Sequence, residues 1–263
     1  MSQQAHPKSA AEALQLLQKH NTVLLKDQLA GRVMQDQIRP VSPWQYQGIK
    51  FESYFLPALH LSGDSLDYFV LDNGRIFFYL ADVAGSGTSA ALLSMLLKSI
   101  TREYLYAQPV PIDVTPAAIL RHINQRLLTY HAERHITLIC GIIDLQHNLL
   151  RWSVGGHLPL PVLYSEGKAQ FLFGEGQPVG LFEDGQYNDE QMPLPHAFSL
   201  SLFSDGVFDV LPEEGLVDSE AALPSLVSAV CGDYKKMIDC LGLANCINMP
   251  DDIAILVLSR NLA

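Results

Sequence analysis

The stretch Asp82-Val83-Ala84-Gly85-Ser86-Gly87-Thr88-Ser89-Ala90-Ala91 lies between an apolar run and a helical pattern. The run before it, Arg75–Asp82, has the composition of a strand, and Ser89–Tyr106 after it favours a helix. A carboxylate at a strand end can point into a cleft while the strand holds its backbone still. A glycine nearby, such as Gly85, lets a ligand or another chain segment approach closely. The stretch therefore predicts a site built on a strand-to-helix turn.

The rest of the chain predicts antiparallel strands with helices grouped between them. Turns at Asp72-Asn73-Gly74 and Gln146-His147-Asn148 suggest hairpins. Two more helices are expected, at Pro116–Tyr130 and within Ser219–Leu243. Because strands follow one another through hairpins rather than alternating with helices, the fold class predicted is α+β. The remaining short β-rich runs are Ile49–Leu56, Asp67–Leu71, Ile136–Asp144, Leu149–Gly155, Leu160–Tyr164, Ser199–Ser204 and Ile253–Ser259.

The N-terminal part predicts one long helix, from about Ala10 to Gln37, which Pro40 and Pro43 stop. Residues recur along it at a spacing of three and four: Leu14, Leu17, Asn21 and Leu24. Such an apolar stripe needs a partner, either the following domain or a second copy of the chain in a coiled coil. We expect residues 1–43 to be a helical linker and 44–263 to be one domain.

Composition narrows the classes of function. The chain has 263 residues, 48% of them hydrophobic, and a formal net charge of −11. No Lys/Arg stripe offsets that charge, so we expect no nucleic-acid partner. No apolar run approaches the roughly 18 residues that cross a bilayer, so no membrane partner is expected either. The 4 cysteines include no C-x-x-C pair and no secretory signal is evident, which fits a reduced, cytoplasmic protein.

Four acidic sites share one local design, in which an apolar strand ends and an aspartate follows beside a small residue or another acid. A lone Asp-Gly after a strand is most often only a turn, but four such sites are harder to dismiss. Oxygen donors without histidine or cysteine favour Mg²⁺ or Mn²⁺ over Zn²⁺. Adjacent carboxylates before an apolar run also call for a compensating positive charge. The four sites are Ser62-Gly63-Asp64, Leu80–Gly85, Phe203-Ser204-Asp205-Gly206 and Pro250-Asp251-Asp252-Ile253.

One alternative is a dinucleotide site, because Gly85–Ala90 matches G-x-G-x-x-A between a strand and a helix. Two observations count against it. Asp82 would place negative charge beside a pyrophosphate, and no strand ending in Asp or Glu follows about 20 residues later.

Taken together, these motifs resemble the SpoIIE-like phosphatases of the protein phosphatase 2C superfamily, also called PPM. Residues 82–91 resemble the signature D-V-x-G-x-G-x-x-A-A, and five further stretches match in the same order over about Gly48 to Ser259. The sequence departs from the usual pattern at Ser86, at Ala254 after Ile253 and at Ser65-Leu66, and these changes leave the carboxylates intact. No arginine is obvious in the position of the phosphate-binding arginine of the eukaryotic relatives. The five stretches are Gly63–Asp67, Val154–Pro159, Gln177–Leu181, Phe203–Val207 and Asp251–Ile253.

The resemblance implies an α-β-β-α sandwich of two antiparallel sheets flanked by helices, with a site for two Mn²⁺ or Mg²⁺ at one end. Asp82 would bridge both cations with help from the Val83 carbonyl, while Asp205 and Asp251 would hold one of them. Asp64 would act in the outer shell or through water. The further residues expected around the ligands are Asp67, Asp252, Gly85 and Gly206.

The implied activity is hydrolysis of phosphoserine or phosphothreonine on a regulatory protein, such as an anti-sigma antagonist, by metal-activated water. The N-terminal helix resembles linkers that join such domains to an upstream receiver or sensor module, as in the output half of a response regulator. The alternative is an adaptor that controls a sigma factor with little or no catalysis. The presence of Asp82, Asp205 and Asp251 favours retained metal binding.

Overall fold

The computed structural model of the chain describes residues 10–71, 74–106, 114–211, 216–246 and 249–262. The chain divides into two compact units, residues 1–38 and residues 39–263. In the first unit, helix α1 (Ala10–Ile38) is a single continuous helix of 29 residues. Its leucines stand out because Leu14, Leu17 and Leu24 each expose more than half of their surface. None of the helices in the described ranges is long and apolar enough to cross a membrane.

In the second unit, the described residues form two antiparallel sheets. One has the strand order β1-β2-β11-β10-β7-β8, and the other has the order β3-β4-β5-β6-β9. The strands are β1 (Trp44–Tyr46), β2 (Ile49–Leu56), β3 (Ser65–Val70), β4 (Arg75–Val83), β5 (Ile136–Asp144), β6 (Leu149–Gly155), β7 (Val162–Ser165), β8 (Lys168–Phe171), β9 (Glu190–Pro193), β10 (Phe198–Phe203) and β11 (Ile253–Arg260). The helices are α2 (Thr88–Tyr106), α3 (Pro116–Thr129), α4 (Leu216–Ala229) and α5 (Tyr234–Cys240), with short 3-10 helices at Asp205–Val210 and Leu243–Asn245.

The alternation of side chains along the strands explains the layers. On β4, Phe77 and Tyr79 pack into a core with α2 and α3, whereas Phe78 and Leu80 pack into a second core against the other sheet. On β11, Ile255 belongs to a third core with α4 and α5. Two sheets therefore lie face to face with a helical layer outside each, and the predicted α+β sandwich is confirmed.

The local differences from the sequence prediction have physical causes. The helix expected within Ser219–Leu243 breaks after α4, where Cys231 and Gly232 adopt positive φ angles and the Asp233 side chain caps α5. Strands β1, β8 and β9 were not predicted, since each has only three or four residues and they pair with a single neighbour strand. The hairpin between β3 and β4 is confirmed by their pairing, but residues 72 and 73 of its turn lie outside the described residues.

Candidate functional site

The acidic residues singled out in the sequence lie at strand ends of both sheets. Asp82 is the second-last residue of β4. Asp205 comes just after β10, and Asp251 and Asp252 come just before β11. Because β10 and β11 are antiparallel neighbours, the end of the first lies beside the start of the second. The sheet pairing therefore brings Asp205 and the Asp251–Asp252 pair together at one end of these strands, which is the edge of the sandwich discussed below.

Ser204 joins this edge to the other sheet. Its hydroxyl donates to Asp64 Oδ2 over 2.7 Å and accepts from the backbone N–H of Ala254 over 2.8 Å. Asp64 directly precedes β3 in the second sheet and is buried, as is Ser204. A buried carboxylate is thus fixed across the two sheets by one serine.

Asp252 fixes the loop that leads to Asp64. Its two carboxylate oxygens accept from the backbone N–H groups of Ala58 and Gly63, each over 2.8 Å. Its own backbone is approached closely by Gly206, where an added Cβ would lie 2.1 Å from the Asp252 carbonyl oxygen. Asp252 therefore acts through backbone contacts of the loop before Asp64, and Gly206 is required by close packing.

The carboxylates of this edge repel one another. Burial raises the pKa of Asp82 to about 7, with further contributions from the charges of Asp205, Asp251 and Asp252. Burial, followed by the charge of Asp82, raises the pKa of Asp64 well above its usual value, against the hydrogen bond from Ser204, which lowers it. The pKa of Asp205 is raised by burial and then by Asp251. Five aspartates thus share one electrostatic environment.

The repulsion is not relieved by an ion pair within the described part of the chain. Across the ranges that the structure describes, no lysine, arginine or histidine forms an ion pair with Asp64, Asp82, Asp205 or Asp251. Asp209, on the 3-10 helix after β10, adds to the negative charge, since burial and Asp251 raise its pKa too.

Asp67 was expected near the same cations, and in the structure its carboxylate is paired with basic side chains of α2. It is fully buried on β3 and accepts from Arg102 Nε at 2.7 Å and Arg102 Nη2 at 3.1 Å. Lys98 Nζ lies 3.4 Å from its Oδ2. Both cations come from α2, where a spacing of four residues puts them on one helix face. Asp67 therefore ties β3 to α2.

The turn after Asp82 carries two further residues of the predicted site. Val83 is buried in the core, and its carbonyl oxygen lies 3.3 Å from where a Cβ on Gly63 would stand, beside the loop of Asp64. Gly85 has a φ of +85° and lies under the guanidinium of Arg134. Arg134 Nη1 donates to the Ala84 carbonyl oxygen over 2.6 Å.

The donor set fits a hard divalent cation. Within the described residues, no three His, Cys, Asp or Glu side chains lie close enough together to enclose a metal ion by themselves. Mg²⁺, however, commonly keeps several waters and binds through one or two carboxylates, so a complete protein cage is not needed. Oxygen donors whose charge is uncompensated by the protein suit Mg²⁺ or Mn²⁺.

Sequence reasoning missed two residues of this region. Ser204 was part of a quoted motif, but only Asp205 beside it was given a role. Arg134 follows α3 in a stretch that carried no motif, and its partner Ala84 is 50 residues away in the chain. No signal in the sequence alone pairs Arg134 with Ala84. Ser204 could have been found, because it lies within the quoted motif.

Comparison with known proteins agrees with the fold and the motifs. The family model "Stage II sporulation protein E (SpoIIE)" matches residues 72–261. The phosphoserine phosphatase RsbU of Bacillus subtilis is 24% identical over 242 residues, which cover 89% of this chain and 70% of RsbU. The phosphoserine phosphatase RsbP of the same organism is 25% identical over 166 residues, 61% of this chain. The chain spans only 40% of the length of RsbP.

Solved structures show the same architecture. The SiaA-PP2C domain of Pseudomonas aeruginosa superimposes with a TM-score of 0.76 at 19% identity, covering 92% of this chain and 99% of that one. RsbX, solved in complex with magnesium, gives a TM-score of 0.63 at 15% identity, covering 83% of this chain and 98% of RsbX. The fold is therefore of the PP2C type. Since the family model matches well over half of the sequence, this chain belongs to the SpoIIE family.

Proposed function

We propose that this chain is a metal-dependent serine/threonine phosphatase that acts on a phosphorylated regulatory protein. The observation that carries the proposal is the set of aspartates around Asp82, which share an edge of the sandwich and form no ion pair with any lysine, arginine or histidine that the structure describes. Such an arrangement is costly unless a divalent cation binds there. Its oxygen donors and the PP2C-type fold point to the same chemistry.

We assign the metal ligands by position. Asp82 and the Val83 carbonyl would contact two Mn²⁺ or Mg²⁺ ions, and Asp205 and Asp251 would hold one of them. Bound there, the cations would supply activation of water and stabilisation of the charge on the phosphoryl group. RsbX, with the same fold, was solved with magnesium, which supports this class of metal.

The other residues keep the ligands in place. Ser204 fixes the Asp64 carboxylate across the sheets by donating to its Oδ2. The remaining lone pairs of that carboxylate are then the ones that can accept a hydrogen bond from a water molecule. Asp252 fixes the loop before Asp64 through two backbone N–H groups. Ser204 therefore orients the Asp64 side chain, and Asp252 orients the loop that carries it.

The substrate we propose is phosphoserine or phosphothreonine on a protein of a sigma-factor pathway, such as an anti-sigma antagonist. RsbU and RsbP, both named phosphoserine phosphatases, support the residue type. Because the match spans less than half of RsbP, an upstream receiver or sensor module is a further proposal for this chain.

The activity is tested by phosphate release from a phosphoserine peptide and from p-nitrophenyl phosphate, with Mn²⁺ and with EDTA. We expect release that requires Mn²⁺ and is lost in Asp205→Ala. Glu183→Ala, which removes an exposed acid, is the matched control. An adaptor would instead bind a sigma-factor pathway protein equally well with chelator or with Asp205→Ala, and would release no phosphate.

We also propose that α1 pairs with a second copy of the chain. Leu17 and Leu24 are 56% and 59% exposed and lie seven residues apart, so one face of the helix carries unshielded apolar surface. We expect Leu17→Glu with Leu24→Glu to shift the mass from dimer to monomer in analytical ultracentrifugation. Gln18→Glu, on the same helix, should leave the mass unchanged, and a monomeric parent chain would contradict the proposal.

A further inference from the structure

Arg134 holds the turn that leads from Asp82 into α2. It lies between α3 and β5, and its Nη1 donates to the Ala84 carbonyl oxygen over 2.6 Å. On the other side of the same residue, the Ala84 N–H donates to the His135 carbonyl over 3.1 Å. Two adjacent residues thus fix both polar groups of Ala84.

The guanidinium is seated on Gly85. A Cβ built there would lie 1.7 Å from Arg134 Nη1 and 2.9 Å from Cζ, so any other residue would displace the side chain. Gly85 and Ser86 are exposed, which leaves this part of the turn without a covering layer of side chains. Arg134 is therefore the side-chain contact that restrains the first half of the turn.

The restraint acts on a predicted ligand. The N–H of Ala84 belongs to the same rigid peptide plane as the Val83 carbonyl, and the Ala84 carbonyl belongs to the next plane. Fixing both planes fixes the direction of the Val83 oxygen and the backbone that follows Asp82. Within the described ranges Arg134 forms no ion pair, so its resolved partner is this neutral carbonyl.

We infer that Arg134 is a positioning residue for the metal site, acting through the Ala84 carbonyl to aim the Val83 oxygen and Asp82. The inference rests on the proposed function, since it concerns the same cations. A turn that is ordered before binding loses less conformational freedom when the cation binds. Removal of the guanidinium should therefore weaken the binding of the cation more than it slows a saturated enzyme.

The test measures Mn²⁺ affinity by isothermal titration calorimetry on the whole chain. We expect Arg134→Met, which keeps the aliphatic stem but loses the donor, to raise the Kd by about tenfold, or ~1.4 kcal/mol. Arg134→Lys retains a charged donor and should recover most of the affinity. Arg151→Met is the matched control, because Arg151 is exposed on β6 and, among the described residues, its side chain donates to Gln191 over 3.3 Å.

A second variant reaches the same contact from the other side. Gly85→Ala should displace Arg134 and also raise the Kd, and combining it with Arg134→Met should add little further loss. At saturating Mn²⁺, the kcat for p-nitrophenyl phosphate of Arg134→Met should fall by a smaller factor than its Mn²⁺ affinity does. Circular dichroism of the metal-free variants establishes that each is folded when its affinity is measured.

The outcomes separate the inference from the proposed function. If Arg134→Met binds Mn²⁺ as tightly as the parent, the inference is wrong and the phosphatase proposal stands. A raised KM for p-nitrophenyl phosphate at unchanged Mn²⁺ affinity would place Arg134 on the substrate and overturn the positioning role. A parent chain that neither binds Mn²⁺ nor releases phosphate would overturn both proposals.

Discussion

Two acidic groups in this sandwich differ in their partners: the first, Asp67, pairs with protein cations, whereas the second, around Asp82, forms no ion pair with a lysine, arginine or histidine among the described residues. Asp67 is fully buried between β3 and α2, where Arg102 and Lys98 surround it. Asp64 and Asp82, at the edge of the sheets, have other aspartates for charged neighbours. The first group is complete as it stands and joins two elements. The second is left with an electrostatic cost that a bound cation can remove.

The largest effect is expected when the second group loses its central carboxylate. Asp82→Asn should lower kcat for p-nitrophenyl phosphate by at least about a thousandfold, because the carboxylate that we propose to contact both cations is lost. Thermal unfolding of the metal-free variant should meanwhile occur at the same or a higher temperature, since removing one charge relieves the repulsion. Activity within tenfold of the parent would contradict the assignment of Asp82 as a metal ligand.

The first group should respond in the opposite way. Asp67→Asn leaves Lys98 and Arg102 without their carboxylate, and breaking a buried ion pair costs about 3 kcal/mol of unfolding free energy. Urea unfolding measures the loss, and the phosphatase activity per folded molecule should stay within about twofold of the parent. If Asp67→Asn has the stability of the parent but no activity, Asp67 belongs to the metal site after all.

Added Mn²⁺ gives a third comparison of the two groups. A cation that binds only the folded chain stabilises it by about 2.7 kcal/mol at a concentration of 100 times its Kd. We expect this increase in the parent and in Asp67→Asn, and its loss in Asp82→Asn. Thermal melts with and without Mn²⁺ measure this increase in stability, and metal-free samples that contain EDTA are the reference. An equal increase in Asp82→Asn would mean that the stabilising ion binds elsewhere.

Most of the fold could be predicted from the sequence, but only part of the difference between Asp67 and the aspartates around Asp82. Short β-rich runs predicted the long strands, and aspartates at strand ends, beside small residues or other acids, predicted which carboxylates meet. Asp67 was grouped with them because its spacing from Asp64 matched a motif. Its true partners, Lys98 and Arg102, could be found only once β3 and α2 are packed together. Arg134 was missed for the same reason, since nothing near it in the chain indicates Ala84.

The smallest of these effects concerns the link between the sheets. Ser204→Ala removes the 2.7 Å hydrogen bond to Asp64 and leaves that buried carboxylate without its hydroxyl donor. A hydrogen bond to a charged group contributes about 1.5–3 kcal/mol, so activity should fall by about tenfold or more. Ser204→Thr keeps the hydroxyl and should recover activity if Ala254 leaves room for the methyl group. Because Asp64 lies in the group without cations, Mn²⁺ affinity should fall together with kcat. Should Ser204→Ala lose stability alone, as Asp67→Asn is expected to, Ser204 and Asp64 would belong with the structural group of carboxylates instead of the catalytic one.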